Sequence, residues 1–278
     1  SRTFASDTSA DGDSYVYRSA ISADGRYVAF ISNATNLVEG AEIAAYEDIY
    51  IVYRFVRITG DVVLVSVNKT GTGGGNATSE QPTISSDGNV VAFRSGATNL
   101  TDGHGNARYD IFVRDVPKGV THLASSNVDG FLDGDCFNPI ISADGYVVSF
   151  ISTSTSGTTH MISVNRSGTS SSNGWSEVAS VSADGNRIAF VSSATNIDPL
   201  DTLNWSDVYV RDLSTNATQL VTLNMFGTAA SNASVSHAVI SADGKVVAFQ
   251  SVATNLHPLD TALTEVGNDW DVFARNLE

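Results

Sequence analysis

The chain has 278 residues, of which 42% are hydrophobic and 16% charged, and its 15 Lys and Arg against 30 Asp and Glu give a net charge of −15. That length can bury a sizeable core, while the acidic balance excludes phosphate backbones and anionic lipid surfaces as partners. No apolar run approaches the about 18 residues of a membrane span and no leader peptide is read at the N-terminus; a single cysteine, Cys136, excludes an internal disulfide and a cysteine-built metal site.

Taken from the N-terminus, the chain repeats itself, and repeats decide a fold before any local pattern does. TFASDTSADG (3–12) comes first, followed by ISADGRYVAFISNATNL (21–37) and then DIYIVY (48–53). VVLVSVNKTG (62–71) closes this first unit, and GTGGGN (71–76) is a flexible loop with no helix behind it to cradle a phosphate. The second unit runs ISSDGNVVAFRSGATNL (84–100), DIFVRD (110–115) and THLASSNVDG (121–130). The third has ISADGYVVSFISTSTSG (141–157) and THMISVNRSG (159–168) with no block between them. The fourth has VSADGNRIAFVSSATNI (181–197), DVYVRD (207–212) and TQLVTLNMFG (218–227), and the fifth ISADGKVVAFQSVATNL (240–256) and DVFARN (271–276).

Each block reads as a strand, because Val28, Phe30 and their counterparts alternate with small residues at period two, and no segment sustains a helical stripe. The Asp-Gly pairs at Asp24, Asp87, Asp144, Asp184 and Asp243 predict tight hairpins. One unit is therefore strand A (82–85 in the second), an Asp-Gly turn, strand B (90–95), a long loop, strand C (110–115), a short turn and strand D (121–126). Four antiparallel strands repeated in this way are propeller blades. The expected fold is all-β: a five-bladed β-propeller of four-stranded antiparallel blades, a single domain over 1–278. The third blade is short, lacking its strand C, so that 166–178 crosses back. The ring is closed by the N-terminal strand 3–12 completing the C-terminal blade, a clasp that removes an exposed sheet edge.

PTISSDGNVVAF (82–93), NPIISADGYVVSF (138–150) and their sister copies resemble the TolB-like repeat of the WD-repeat-like propellers, over essentially the whole chain. The match departs at the strand-A proline, kept at Pro82 and Pro139 but replaced by Ser19, Ala179 and Ala238, and five units are fewer than the six blades usual in that family. The resemblance implies a secreted, cell-surface or periplasmic scaffold for protein contacts, with some relatives handling glycans.

Long loops between strands B and C (33–47, 96–109, 193–206, 252–270) and the D–A connections share one rim, where a binding site is expected. Trp175, Trp205 and Trp270 all fall there and offer flat faces to a sugar or a peptide, unless each caps its own blade. His104 and His257 lie in the same loops. Asp129, Asp133 and Asp135 in DGFLDGD (129–135) make calcium the one candidate cofactor, joined by Asp102, Asn106, Asp198, Asp201, Asp260 and Glu265, although no calcium-loop pattern is matched. Asp48, Asp110, Asp207 and Asp271 recur where strand C starts and read as caps. Eight N-x-[ST] sequons, at Asn33, Asn68, Asn76, Asn99, Asn165, Asn204, Asn216 and Asn232, follow from repetition.

No HExxH, no G-x-S-x-G and no metal-ligand histidine spacing occurs. The expected function is a non-catalytic binding module, monomeric, taking a protein or glycan on the B–C/D–A rim, with the irregular blade near Trp175 as the place to look. The alternatives are a carbohydrate-active hydrolase or lyase with acids converging from several blades, and a structural spacer of a larger surface protein.

Overall fold

The computed structural model describes residues 9–43, 49–102, 108–126, 134–153, 160–259 and 270–278. Among them are seventeen strands and no helix. The first sheet is β1 (Ser14–Tyr15), β2 (Tyr27–Ser32), β3 (Ile51–Val56) and β4 (Val62–Leu64); the second is β5 (Ser79–Ile84), β6 (Val90–Ser95), β7 (Asp110–Asp115) and β8 (Val120–Leu123). A third sheet contains β9 (Cys136–Ile141) and β10 (Val148–Ser152) alone. The fourth is β11 (Ser176–Val181), β12 (Arg187–Ser192), β13 (Asp207–Asp212) and β14 (Ala217–Leu220), and the fifth β15 (Val235–Ile240), β16 (Val246–Ser251) and β17 (Asp271–Asn276). Every pairing is antiparallel and follows chain order, the up-and-down meander of a propeller blade.

This corrects the expectation of five closed four-stranded blades. Three sheets have four strands, the fifth has three and the third has two among the described residues. The third was expected to keep three strands, but its outer block, 160–163, makes no ladder because strand C, its hydrogen-bonding partner elsewhere, is missing. The proposed N-terminal clasp falls largely on residues 1–8, outside the described residues.

A second correction concerns strand C of the first sheet. In the other complete pairings the last serine of strand B faces an aspartate: Ser95 faces Asp110, Ser192 faces Asp207 and Ser251 faces Asp271. Ser32 instead faces Ile51. The block that matches DIFVRD is thus IVYRFV rather than DIYIVY, and Asp48, outside the described residues, is not one of the strand-C aspartates. Aromatic register fixes this alignment: Phe30 stacks on Tyr53 with ring centroids 5.6 Å apart, as Phe93 does on Phe112 (5.9 Å), Phe190 on Tyr209 (5.5 Å) and Phe249 on Phe273 (5.7 Å). Such a pair is worth about 1 kcal/mol beyond the area it buries.

The Asp-Gly turns are built by one Ser-x-Asp-Gly device used five times. The Ser22, Ser85, Ser142, Ser182 and Ser241 hydroxyls donate to Asp24, Asp87, Asp144, Asp184 and Asp243 at 2.5–2.8 Å. Each carboxylate also accepts the backbone N–H two residues on, and each serine oxygen accepts the N–H that opens strand B. The turn's donors are thereby satisfied locally.

The chain's contacts divide it into two compact units, 1–159 and 160–278. In the first, Ile31, Val52, Val65, Ile84, Val91 and Phe93 fill the space between sheets one and two, and the turns are chained by Ala23 N–H to the Ser86 carbonyl and Ser86 N–H to the Ala143 carbonyl. In the second, Val191, Val208, Val221, Val235, Val247 and Phe249 form the core between sheets four and five, with Ala183 N–H bonded to the Ala242 carbonyl. Face-to-face burial of period-two strands is what holds each unit together.

Candidate functional site

The loop ends of the strands are stapled by a second repeated device, S-x-A-T-N-[LI], immediately after strand B. The serine that ends strand B accepts the alanine N–H: Ala34 from Ser32, Ala97 from Ser95, Ala194 from Ser192 and Ala253 from Ser251, all at 3.0–3.1 Å. The alanine and the final Leu or Ile are buried, as Ala194 and Ile197 show in the fourth sheet. Threonine and asparagine then clasp the D–A connection that leads into the same sheet. In the fourth sheet Asn173 N–H donates to Asn196 Oδ1 at 2.9 Å, and Thr195 N–H donates to Asn173 Oδ1 at 3.0 Å. Asn76 and Asn232 make the same pair of bonds to Thr98–Asn99 and Thr254–Asn255, and Asp11 makes them to Thr35 and Asn36.

These clasps account for three sequons and turn caps for two more, whose asparagine side chains are committed to loop structure. Asn76, Asn99 and Asn232 form the clasps, while Asn68 and Asn165 cap N-x-x-G turns by accepting the Thr72 and Thr169 N–H groups at 3.1 and 3.0 Å. Sequence reading took them for repetition without a task. The signal is present in the sequence, because asparagine recurs three residues before strand A at Asn76, Asn173 and Asn232 and after strand B at Asn36, Asn99, Asn196 and Asn255.

The three tryptophans separate when placed on this scaffold. Trp175 follows the clasp residue Asn173, and its carbonyl accepts the Ser193 N–H and the Ser192 hydroxyl, both at 3.0 Å. The residues in its place in sheets one, two and five are Asp13, Thr78 and Ser234, whose carbonyls accept the same kind of loop N–H. A tryptophan is therefore not required by the repeat, and its side chain is 57% exposed. Gly174 holds the backbone close: a Cβ there would stand 2.6 Å from the Ala194 nitrogen.

Trp270 directly precedes β17, where Tyr50 and Tyr109 precede β3 and β7, so an aromatic recurs at that point. Trp205 lies one residue further out, matched by Ile49 and Arg108, so the two tryptophans do not occupy equivalent positions. Both are about half exposed.

Beside the Trp175 connection is a shallow depression of about 390 Å³ lined by Asn165, Arg166, Ser167 and Asn196. Asn196 belongs to both, since its side chain clasps Asn173 and its carbonyl accepts the Arg166 N–H at 2.8 Å. The Arg166 side chain is exposed. The depression offers amide, hydroxyl and guanidinium groups that can hydrogen-bond a polar ligand, on the connection that also carries the exposed Trp175.

The remaining candidates are not gathered around it. His257 Nδ1 accepts the Leu259 N–H at 3.2 Å, the task the Asp198 carboxylate performs for Leu200 at 2.9 Å one sheet earlier, which makes it a turn cap. His104, Asp129 and Asp133 lie outside the described residues, as do Asn106, Asp260 and Glu265. Asp135 is committed to structure: its carboxylate accepts the Tyr109 N–H at 3.0 Å. Asp102 pairs with Lys69 at 2.8 Å. Among the described residues no three His, Cys, Asp or Glu side chains converge as metal ligands.

Two further clusters went unnoticed in the sequence. At the turn ends of sheets four and five, a cleft of about 240 Å³ is lined by Asp184, Arg187, Asp212, Asp243, Lys245 and Glu278. Its charges answer one another: Arg187 meets Asp212 at 3.3 Å and Lys245 meets Glu278 at 2.8 Å. The Ser214 hydroxyl, opposed by some burial and aided by the Thr215 N–H and Arg187, holds the Asp212 carboxyl well below the usual range. The second cluster is Asp201, Asp207 and Tyr209 beneath the β12–β13 loop, all buried, with the Tyr209 hydroxyl donating to Asp201. Burial raises both carboxyls, Asp207 to about 7. Asp201 and Asp207 were read as a loop acid and a cap, because sequence does not report depth.

No protein-family model and no curated protein matches the sequence. Among solved structures, the chain is similar to TolB from Acinetobacter baumannii at 14% identity and a TM-score of 0.37, covering 95% of this chain and 41% of that one. It is also similar to a protein assigned as TolB from Agrobacterium tumefaciens (17%, 0.45, 96% and 78%) and to a prolyl endopeptidase (11%, 0.43, 95% and 36%). The chain thus spans less than half the length of the first and third of these. Its repeats and strand order make it a protein of β-propeller type, and TolB-like propellers are what it is similar to.

Proposed function

We infer that the chain is a non-catalytic binding module that takes a glycan or a protein on the B–C/D–A rim, at Trp175 and the depression beside it. One observation carries this reading: a tryptophan stands half-exposed where the repeat elsewhere places Asp13, Thr78 and Ser234. A large apolar side chain kept in water at a position that does not need it points to a contact surface. The same reading has the protein working outside the cytoplasm as a monomer. Calcium, through DGFLDGD, belongs to the reading only as an accessory to the rim.

A glycan-array screen of the purified chain, in calcium and again in chelator, tests it. A specific hit that Trp175→Ala abolishes supports a glycan site there, and loss of the hit in chelator supports the calcium role. A hit that Trp175→Ala leaves unchanged overturns the placement. A blank in both conditions removes the glycan ligand and leaves a protein ligand, to be sought by affinity capture with and without Trp175.

A further inference from the structure

The carboxyl of Asp207 joins three stretches of chain at the loop end of sheet four. It is fully buried at the first position of β13. Its Oδ1 accepts the Thr222 hydroxyl, just past β14, at 2.5 Å and the Ser231 hydroxyl, from the connection to β15, at 2.8 Å. Its Oδ2 is buried too and has no hydrogen-bond partner. The preceding residue, Ser206, accepts the Val235 N–H at 3.0 Å through its carbonyl. Ser206, the last residue of the β12–β13 loop and the chain neighbour of Trp205, is thereby tied to the start of β15.

Among the described residues nothing around the carboxyl supplies a counter-charge. The titratable groups facing it are Asp201 and Tyr209, which are bonded to each other, with Asp198 beyond Asp201. The segments after β14 and before β15 bring no charge to it, but the Thr222 and Ser231 hydroxyls and the Ser231 N–H, and β12 places Ser192 opposite it. Burial, and to a lesser degree the Asp201 charge, raise its proton affinity against the pull of the two hydroxyls. The fold does not require a carboxyl here, since Ile51 fills the same register position in sheet one.

We propose that Asp207 is a proton-operated latch on the β12–β13 loop. With the carboxyl neutral, the loop and Trp205 are held against sheet four. When the proton passes to solvent, the carboxylate is left buried beside Asp201 with two hydroxyls on Oδ1 but no counter-charge, and the loop opens to hydrate it. This goes beyond the binding reading, because it makes the mobility of Trp205 depend on pH whatever ligand the rim takes.

The test needs no ligand. In the full chain carrying Trp175→Phe and Trp270→Phe, Trp205 is the remaining indole, and acrylamide quenching of its fluorescence is followed from about pH 5 to about pH 9. Quenching is expected to rise about twofold through one midpoint near neutrality. Asp207→Asn, a neutral isostere, is expected to stay flat at the low value, and Asp201→Asn to move the midpoint down by removing the neighbouring charge. Quenching that ignores pH, or an unchanged profile in Asp207→Asn, overturns the proposal. Should that variant fail to fold, the infrared spectrum of the unsubstituted chain decides. A protonated-carboxyl C=O stretch that disappears on titration through neutrality supports the latch, and no such band at about pH 6 overturns it.

Discussion

Asn173 and Asn196 grip each other across two loops: the Asn173 N–H donates to Asn196 Oδ1 at 2.9 Å, and the Asn173 side chain in turn holds the Thr195 N–H at 3.0 Å and the Thr195 hydroxyl at 3.1 Å. Two residues later the chain presents Trp175. The clasp is thus the scaffold of the candidate site, placed by the same repeat that closes the other loop ends.

Asn173→Ala removes the side-chain half of this clasp and leaves the Thr195 N–H to water. The expected cost is about 1 kcal/mol, or a thermal midpoint about 2–4 °C lower for a chain of this size. Calorimetry reads the midpoint, and weakened ligand binding at constant Trp175 is the accompanying effect.

The Asp-Gly turns share a conformation but not their surroundings. Gly25 and Gly88 both have positive φ, +66° and +74°, yet a Cβ at Gly25 meets nothing within 4 Å while one at Gly88 would stand 2.1 Å from the Tyr27 ring. Gly25→Ala is expected to cost about 1 kcal/mol from backbone strain alone. Gly88→Ala adds overpacking of roughly 1–3 kcal/mol, in a turn whose carbonyl also accepts from Arg54 at 2.7 Å. Chemical denaturation of the two variants separates them, and equal losses would contradict the packing between sheets one and two.

Acid should loosen these turns. Hydrogen bonds hold the carboxyls of Asp24, Asp184 and Asp243 below the usual carboxylate range, and that of Asp87 against the opposing effect of its burial, with Asp24 at about 2 through the Arg26 N–H, the Arg26 side chain and Ser22. A pKa depressed by folding gives stability that is present above the unfolded value and lost as pH falls through the folded one, so the loss belongs between about pH 4 and pH 2. Asp207 runs the other way. Its raised pKa means the folded chain binds the extra proton, so its contribution declines from about pH 4 to about pH 7 and is level above that. Denaturant midpoints across this range are expected to show both arms, and Asp207→Asn to remove the second only.

Sheet five ends at β17 among the described residues, and an N-terminal clasp there is a proposal that deletion of residues 1–8 tests. The expected result is a lower thermal midpoint and self-association on size-exclusion chromatography. An unaltered monomer of unaltered stability would contradict the clasp.

Strands and turns were legible in the sequence because each rests on local chemistry. VVAFRS and DIFVRD fall on β6 and β7 residue for residue, since period-two burial and the Ser-x-Asp-Gly turn leave little choice. The first strand C was misplaced because DIYIVY and IVYRFV overlap and only pairing of Tyr53 with Phe30 separates them. The long loops after strand B were legible, but the Asn-Thr clasps were not, because a bond such as Asn173 to Asn196 joins residues 23 apart. Buried Asp207 escaped for the same reason: three segments distant in sequence close over it.

The central claim is that Trp175 and the depression beside it bind the ligand. The direct measurement is isothermal titration of the first ligand found, with the unsubstituted chain and with Trp175→Ala and Arg166→Ala. Both side chains are exposed, so folding stability is expected to hold within about 0.5 kcal/mol. The predicted result is affinity reduced about tenfold or more in Trp175→Ala, with a smaller loss in Arg166→Ala. Equal affinity in all three chains would contradict the account.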